Sequence, residues 1–371
     1  MNVLRCLIVA TTLASSAAGE KRDLGREILG PDDGWASFST GTTGGAGAAS
    51  DHVYVVGNRQ ELVAALANRS STPKIIQVDG TIDANVSGDG QPLTCADYAR
   101  NGYTLEAYLA AYDPAVWGRV PPSGPLEGAR VASQQAQQER VRIRIGANTT
   151  LVGLGKRALI RGAWLDIRDA DNVIIRNITF QDTHDCFPQW SPTDGSQGNW
   201  NSLYDAVSLR NTTHVWVDHN EFADVDTADA GLPTYFGRVF QVHDGHLDIT
   251  NASDFVTVSW NRFLDHDKVM LIGSSDSGST AAGDRGKLRV TLHHNLFERV
   301  GQRTPRVRFG KVHVYNNLYG IKKVPGYVYS WGVGIESQID AENNLFLTDE
   351  DVTPDQLIAR FNGTAIHESG T

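Results

Sequence analysis

The chain has 371 residues, a formal charge of −10 and 37 glycines, and 40% of its residues are hydrophobic. Length alone would allow two or three domains, yet no Pro-rich or charged linker divides the chain, and no apolar run is long enough to span a bilayer. In so acidic a chain, a purely basic stretch needs a cause.

Residues 1–18 read as a secretory signal. Arg5 gives a positive start, Cys6 to Leu13 is mostly apolar, and Ser16, Ala17 and Ala18 supply the small residues of a cleavage site. A secreted, extracellular protein is expected. Cys6 leaves with the signal, so Cys95 and Cys186 remain. They are compatible with one disulfide in an oxidising compartment or with two unpaired buried thiols. Asn-X-Ser/Thr sequons stand at Asn68, Asn85, Asn148, Asn177, Asn211, Asn251 and Asn362. They accept sugar only where the host glycosylates. Asn177 lies in a strand pattern and is expected in the interior.

Helical patterns come early. Residues 60–68, QELVAALAN, have apolar side chains at helical spacing and are expected to cap one end of a core. Residues 95–112 and 128–138 read as helices of an inserted loop region. From Lys74 onward one phrase recurs: NVIIRNITF (172–180), HVWVDHNEF (214–222), FVTVSWNRF (255–263), RVTLHHNLF (289–297), KVHVYNNLY (311–319) and QIDAENNLF (338–346). Each is a short alternating strand followed by Asn and an aromatic, and the first has one extra residue between Asn177 and Phe180. Recurrent short strands with Asn at a fixed place predict a parallel β-solenoid. Stacked turns put equivalent side chains in ladders, and a corner Asn can use both ends of its amide along one. An antiparallel sandwich would want Asn-Gly or Asp-Gly hairpins, which are sparse. The longer inserts are expected as loops on one side, where sites are usually built.

Three acids stand out among these inserts. Asp205 opens DAVSL, and Asp244 and Asp248 lie in VHDGHLDI. Neighbouring turns could bring them together, and three hard oxygen ligands suit Ca2+. Paired acids on a loop are otherwise just solvated. His243 and His246 suggest a transition metal, a weaker reading because no compact His pattern supports it. Lys268 precedes VMLIG, a buried-strand pattern that fixes its position. The basic stretch is residues 299–323, with Arg299, Arg303, Arg306, Arg308, Lys311, Lys322 and Lys323 and no acid. It is expected to form one cationic strip that grips a polyanion, against the alternative of solvated surface arginines.

VWVDH (215–219), DGHLD (244–248), DHDKVMLIGSSD (265–276) and QRTPRVRFGKVHVYNNLY (302–319) together resemble the pectate lyases of polysaccharide lyase family 1. PKIIQVDGTID (73–83), TLVGLG (150–155) and WNSLYDAVSL (200–209) fit the same resemblance, which runs from about Trp35 to Phe346. It implies a right-handed parallel β-helix of three sheets over residues 19–371, a single domain with an N-terminal capping helix and long loops on one side. It also implies a monomer that cuts polygalacturonate, the pectate of plant cell walls, by Ca2+-dependent β-elimination. Asp205, Asp244 and Asp248 match the calcium ligands, Lys268 and Arg308 the substrate-carboxylate binders, and Arg303 the base. Asp218 and His219 match a motif that looks structural. Leu203 departs from the pattern, because many relatives carry an acid two residues before the match to Asp205. Neither a nucleic acid nor a membrane is expected as a partner.

The chemistry agrees with this resemblance. Removing a proton beside a carboxylate makes a dianionic, enolate-like species, which cations aimed at that carboxylate stabilise. Arginine is normally protonated, so Arg303 can act as base only if neighbouring cations lower its pKa or the medium is alkaline. A hydrolase would need a carboxylate acid and base and has no use for Arg303. A pectin lyase acting on methyl-esterified chains would have little use for the three acids. A non-catalytic glycan-binding solenoid could keep the ladder without them.

Overall fold

The computed structural model describes residues 23–322 and 326–371; the signal-like residues 1–18 and Lys323 of the basic stretch lie outside them. Strands of two to seven residues repeat in a fixed order around a right-handed parallel β-helix. Asp254–Ser259 lies in a first sheet, Arg262–Lys268 in a third, and Leu271–Ile272 opens the next turn in a second. The first sheet has ten strands and the other two have eight each. Alternation decides which side chains face inward. Val215, Val217, Val256, Val258, Val290 and Leu292 fill the core from the first sheet and are fully buried.

The recurrent Asn is the corner between the first and third sheets. Asn220, Asn261, Asn295, Asn317 and Asn344 form one buried ladder. Each of the first four accepts a main-chain amide on one side and passes the pattern on: the Asn220 amide donates to Asn261 Oδ1 at 2.9 Å, and the Asn261 amide to Asn295 Oδ1 at 2.9 Å. Each Nδ2 also donates to a strand carbonyl, as Asn295 does to Val258. The preceding residue supplies the bend in the left-handed region, with φ near +55° at His219, Trp260, His294, Asn316 and Asn343. The anomalous first repeat is explained here. Asn177 takes the left-handed corner position, and Ile178 takes the ladder position, its amide donating to Asn220 Oδ1. Asn177 is therefore not an interior side chain. It is half-buried and donates to the carbonyls of Gly153 and Gly155.

Inside the third sheet the aromatics stack. Phe180, Phe222, Phe263, Phe297, Tyr319 and Phe346 follow one another at 4.3–5.1 Å between centroids, and each such pair contributes about 0.5–1.5 kcal/mol beyond its buried area. The helix Arg59–Ala65, capped by the Asn58 side chain, closes the N-terminal end with Leu62 and Leu66 in the core.

The inserted region forms Cys95–Tyr98, Leu105–Ala111 and Pro125–Val141, so the 95–112 pattern is two helices broken at Gly102 (φ +73°) rather than one. It has its own aromatic core, with Tyr103, Tyr108, Phe187, Trp190 and Trp200. The Cys95–Cys186 disulfide ties it to the loop that leaves Thr179–Gln181. This insert and the long loops 182–206 and 224–246 gather where the third sheet passes into the second.

Candidate active site

Four of the six site residues singled out in the sequence, Asp205, Asp244, Lys268 and Arg303, stand at that passage, Asp248 on the second-sheet strand just beyond it and Arg308 where the second sheet passes into the first. Asp205 lies in the turn before Val207–Arg210, and Asp244 in the turn before Leu247–Thr250. Asp248 leaves the outer face of the latter strand because Leu247 and Ile249 face the core. Lys268 ends Arg262–Lys268, Arg303 follows Leu296–Gln302, and Arg308 follows Arg306–Val307.

Asp205 and Asp248 converge on Gly245. The Gly245 amide donates to Asp205 Oδ1 at 2.9 Å. A Cβ on Gly245 would lie 2.4 Å from Asp248 Oδ1 and 3.0 Å from Asp205 Oδ1, so glycine is required by close approach. Asp205 Oδ2 accepts the Ser208 hydroxyl, and Asp248 Oδ1 accepts the Leu271 amide at 3.0 Å. Asp244 reaches the other way, to Lys268 Nζ at 3.1 Å. The three carboxylates accordingly do not close within 4.8 Å of one another.

Burial, reinforced by the charges of Asp248 and Asp244, raises Asp205 well above the ordinary carboxylate range. Burial and Asp244 push Asp248 up to about 7, against the opposing charges of Arg303 and Lys268. Burial would depress the Arg303 guanidinium, but Asp244 and Asp248 outweigh it and hold Arg303 above its usual value. Arg303 lies within the electrostatic reach of the acids, at a backbone φ of +61°, with its buried Nε unpartnered. Hard oxygen donors only, two of them buried and crowded, fit Ca2+.

Arg308 is held by a residue the sequence reading did not single out. It pairs with Asp276 and donates to the Gly273 carbonyl at 3.0 Å. Gly273 is itself required, since it sits at φ +82° and a Cβ would come within 2.7 Å of the Arg308 oxygen.

The expected single cationic strip over 299–323 is not formed. The stretch crosses all three sheets, in Leu296–Gln302, Arg306–Val307 and Lys311–Tyr315, so its cations leave in different directions. Arg299 is paired with Asp265 and Glu298, and Arg306 lies 4.0 Å over the Phe361 ring.

His243 and His246 do not join Asp244 and Asp248. Both His243 nitrogens reach main-chain oxygens, of Thr183 at 2.9 Å and Thr227 at 2.8 Å. His246 stacks on His266 with centroids 3.8 Å apart. Asp224, His246 and His266 have ligand atoms within 4.8 Å of one another. The lone pairs of near-parallel stacked rings do not converge on one ion, and His266 already spends Nδ1 on Asp224 and Nε2 on the Asp244 carbonyl. Nothing in the sequence spacing announced Asp224 or His266, since their partners come from other turns.

The family model described as pectate lyase matches residues 22–107 and 123–371. A pectate lyase of Bacillus subtilis (strain 168) is 47% identical over 376 residues, covering 99% of this chain and 88% of the relative. Pectate lyase E of Dickeya dadantii (strain 3937) is 38% identical over 351 residues, covering 94% of this chain and 75% of the relative. Among solved structures, a pectate lyase bound to hexasaccharide superposes with a TM-score of 0.91 at 47% identity, covering 94% of this chain and 89% of that one. With this likeness spanning nearly the whole chain, and the β-helix beneath it, the chain belongs to the pectate lyase family and is a polysaccharide lyase.

Proposed function

We propose that the protein is a secreted, monomeric lyase that cleaves polygalacturonate by Ca2+-dependent β-elimination and releases unsaturated oligogalacturonides. The observation that carries this reading is the pair of buried carboxylates, Asp205 and Asp248, meeting at Gly245 beside Arg303 and Lys268. Two crowded acids raised above their ordinary range are a demand for a cation. The solved relative bound to hexasaccharide supports an oligosaccharide of the same class as ligand.

Asp205, Asp244 and Asp248 would hold the calcium ion. When bound, the ion supplies positive charge to the acids and to the substrate carboxylate. Lys268 and Arg308 are assigned to substrate carboxylates, which requires Lys268 to leave Asp244 and Arg308 to be shared with Asp276. Arg303 is assigned the proton. Its guanidine removes the hydrogen on the carbon beside the carboxylate; that electron pair forms the new carbon–carbon double bond, and the glycosidic oxygen leaves on the other side and is protonated. The guanidinium is protonated at its ordinary pKa and the acids raise it further, so Arg303 must first lose a proton to solvent, which a cation on the acids or an alkaline medium would favour.

The test is absorbance of the unsaturated product on polygalacturonate, with and without chelator. Asp248→Ala should cut the rate sharply, with partial recovery at high calcium. Full activity in excess chelator sinks the calcium reading. Preference for methyl-esterified chains without calcium would mark a pectin lyase, saturated products a hydrolase, and binding without turnover a glycan-binding solenoid.

A further inference from the structure

The outer face of the first sheet is covered unevenly. An N-terminal arm lies across its middle strands, where the Ala36 amide donates to the Thr257 hydroxyl at 3.0 Å and the Trp35 amide to the Thr291 hydroxyl at 3.0 Å. The strands Lys311–Tyr315, Gln338–Glu342 and Ala365–Ser369 continue the sheet beyond that point. Val312, Val314, Ile339 and Ala341 are buried in the core, so alternation sends His313, Asp340 and Glu342 outward. Register sets Thr291, His313, Asp340 and His367 in one column. A cavity of about 950 Å3 opens there, lined by Trp35 and Phe38 from the arm and by His313, Asp340 and His367 from the sheet.

Two imidazoles and two carboxylates meet at this place. Glu342 reaches back one strand, its Oε2 lying 2.9 Å from His313 Nε2. Asp340, on the same strand as Glu342, has Oδ1 2.8 Å from His367 Nδ1 on the next strand out. His313, Asp340 and Glu342 each offer one ligand atom within 4.8 Å of the other two. Ligands at 2.0–2.1 Å from a tetrahedral zinc ion stand about 3.4 Å apart, so small side-chain rotations close this triad on an ion. The His367 side chain is 70% exposed, free to turn in as the fourth donor. The His313 ring is held by Tyr315, with centroids 4.6 Å apart, and Tyr315 in turn stacks on His293 at 5.0 Å. Two unrelated surface ion pairs would not need both acids on one strand between the two histidines. Nitrogen donors favour zinc and its neighbours over Ca2+, which takes oxygen alone. Neutral imidazoles add donors without charge, and the two carboxylates offset a dication. Lys311 lines the same cavity, and its single charge does not cancel both acids.

We propose that His313, Asp340, Glu342 and His367 form a zinc site that clips the outermost strand of the first sheet to its two neighbours. Among the described residues no strand pairs with the far side of Ala365–Ser369. Side-chain packing holds this strand weakly, since Ile366 alone packs against the core and Ala365, His367, Glu368 and Ser369 are exposed. An ion held by donors from three successive strands supplies the missing restraint, because binding free energy at such a site is folding free energy. The site lies on a different sheet from Asp248, goes beyond the lyase reading and does not depend on it.

The test is calorimetric titration of the untagged protein with Zn2+ in excess Ca2+, which occupies the acids of the candidate active site. The wild type should bind one zinc ion at a micromolar Kd or tighter. His367→Ala and His313→Gln should each weaken that binding by about tenfold or more, at least the scale of losing an outer partner of a metal ligand. His367 is exposed, so its replacement leaves the fold intact. Zinc should also slow hydrogen exchange of the Ala365–Ser369 amides in the wild type and leave it unchanged in His367→Ala. No zinc binding in excess calcium overturns the proposal, as does an affinity unchanged in both variants, which would place the ion elsewhere. Binding weakened in His313→Gln but not in His367→Ala, or exchange of Ala365–Ser369 indifferent to zinc, overturns the clip.

Discussion

The Nε2 of His266 lies 2.7 Å from the main-chain oxygen of Asp244, and 3.1 Å from that of Lys268. Its Nδ1 lies 2.6 Å from Asp224 Oδ2. One buried imidazolium thus ties together the loop that bears a candidate metal ligand and the strand end that bears a candidate substrate cation. Both ring nitrogens donate only in the charged form, and the Asp224 carboxylate supplies the countercharge.

That ion pair sets a stability limit in base. Burial opposes the charge, but Asp224 pushes His266 up to about 9, against an unfolded value of about 6.5. A raised folded pKa contributes stability that is fully present below about 6.5 and is lost as the pH rises through about 9. The gap corresponds to on the order of 3 kcal/mol. The Tm of the protein in chelator should therefore fall between pH 7 and 10, and His266→Gln should show a shallower fall from a lower starting value. His246 is depressed by burial and by His266, so its loss lies on the acid side of about 6.5 and does not mask the slope. Parallel Tm curves for the two proteins would rule the ion pair out as the cause.

Asp248→Asn separates the charge of this residue from its hydrogen bond, because the amide oxygen can still accept from Leu271. A carboxyl raised to about 7 by burial destabilises the calcium-free fold once ionised. At pH 8 in chelator the variant should melt above the wild type. Adding calcium should raise the Tm of the wild type far more than that of the variant, and lyase activity in the variant should drop at least about tenfold. Equal calcium-induced shifts would remove Asp248 from the metal site.

Leu203 is partly exposed on the same loop as Asp205, and its amide donates to the buried Asp185 at 3.1 Å. Leu203→Glu leaves that main-chain bond in place and adds a carboxylate two residues before Asp205. Calcium titration calorimetry should show tighter binding, by about threefold or more for one added charge at partly screened range. Unchanged affinity would put position 203 outside the reach of the ion.

Arg303→Lys keeps a cation for Asp244 and Asp248 but moves the nitrogen and loses the planar fork. With substrate and calcium still bound, kcat should fall by roughly 10²-fold or more, the scale of a positioned base, and the wild-type rate should climb with pH into the alkaline range. Arg308→Lys should mainly raise KM. Measuring kcat and KM for both variants across pH decides between the roles, and a near wild-type kcat in Arg303→Lys would end the base assignment.

The ladder makes a prediction about stability alone. Asn295→Ala leaves the Asn261 main-chain amide and one Asn261 Nδ2 proton without an acceptor in the core. The cost should be about 2–4 kcal/mol, two buried groups at about 1–2 each, read as a lower denaturation midpoint. Asn316→Ala, one residue away at the outward corner, should cost much less. Similar losses at both positions would contradict the ladder's role.

The repeat was legible because it is local. An alternating strand, a left-handed corner, an amide and an aromatic recur within nine residues, and each obeys a short-range rule of backbone or packing. Asp205, Asp244, Asp248, Lys268, Arg303 and Arg308 could be named because their motifs resemble a known family, not because spacing brought them together. What spacing misjudged was direction: the run from Arg299 to Lys322 looked like one strip, yet its residues divide among three sheets. The pairing of Asp224 with His266, the hold of Asp276 on Arg308 and the crowding of Asp205 and Asp248 about Gly245 all join residues on different turns. A β-helix converts distances of 20 to 40 residues along the chain into single strand spacings of about 4.8 Å. Which side chains become neighbours across those spacings is decided by register, and register exists only once the turns have stacked.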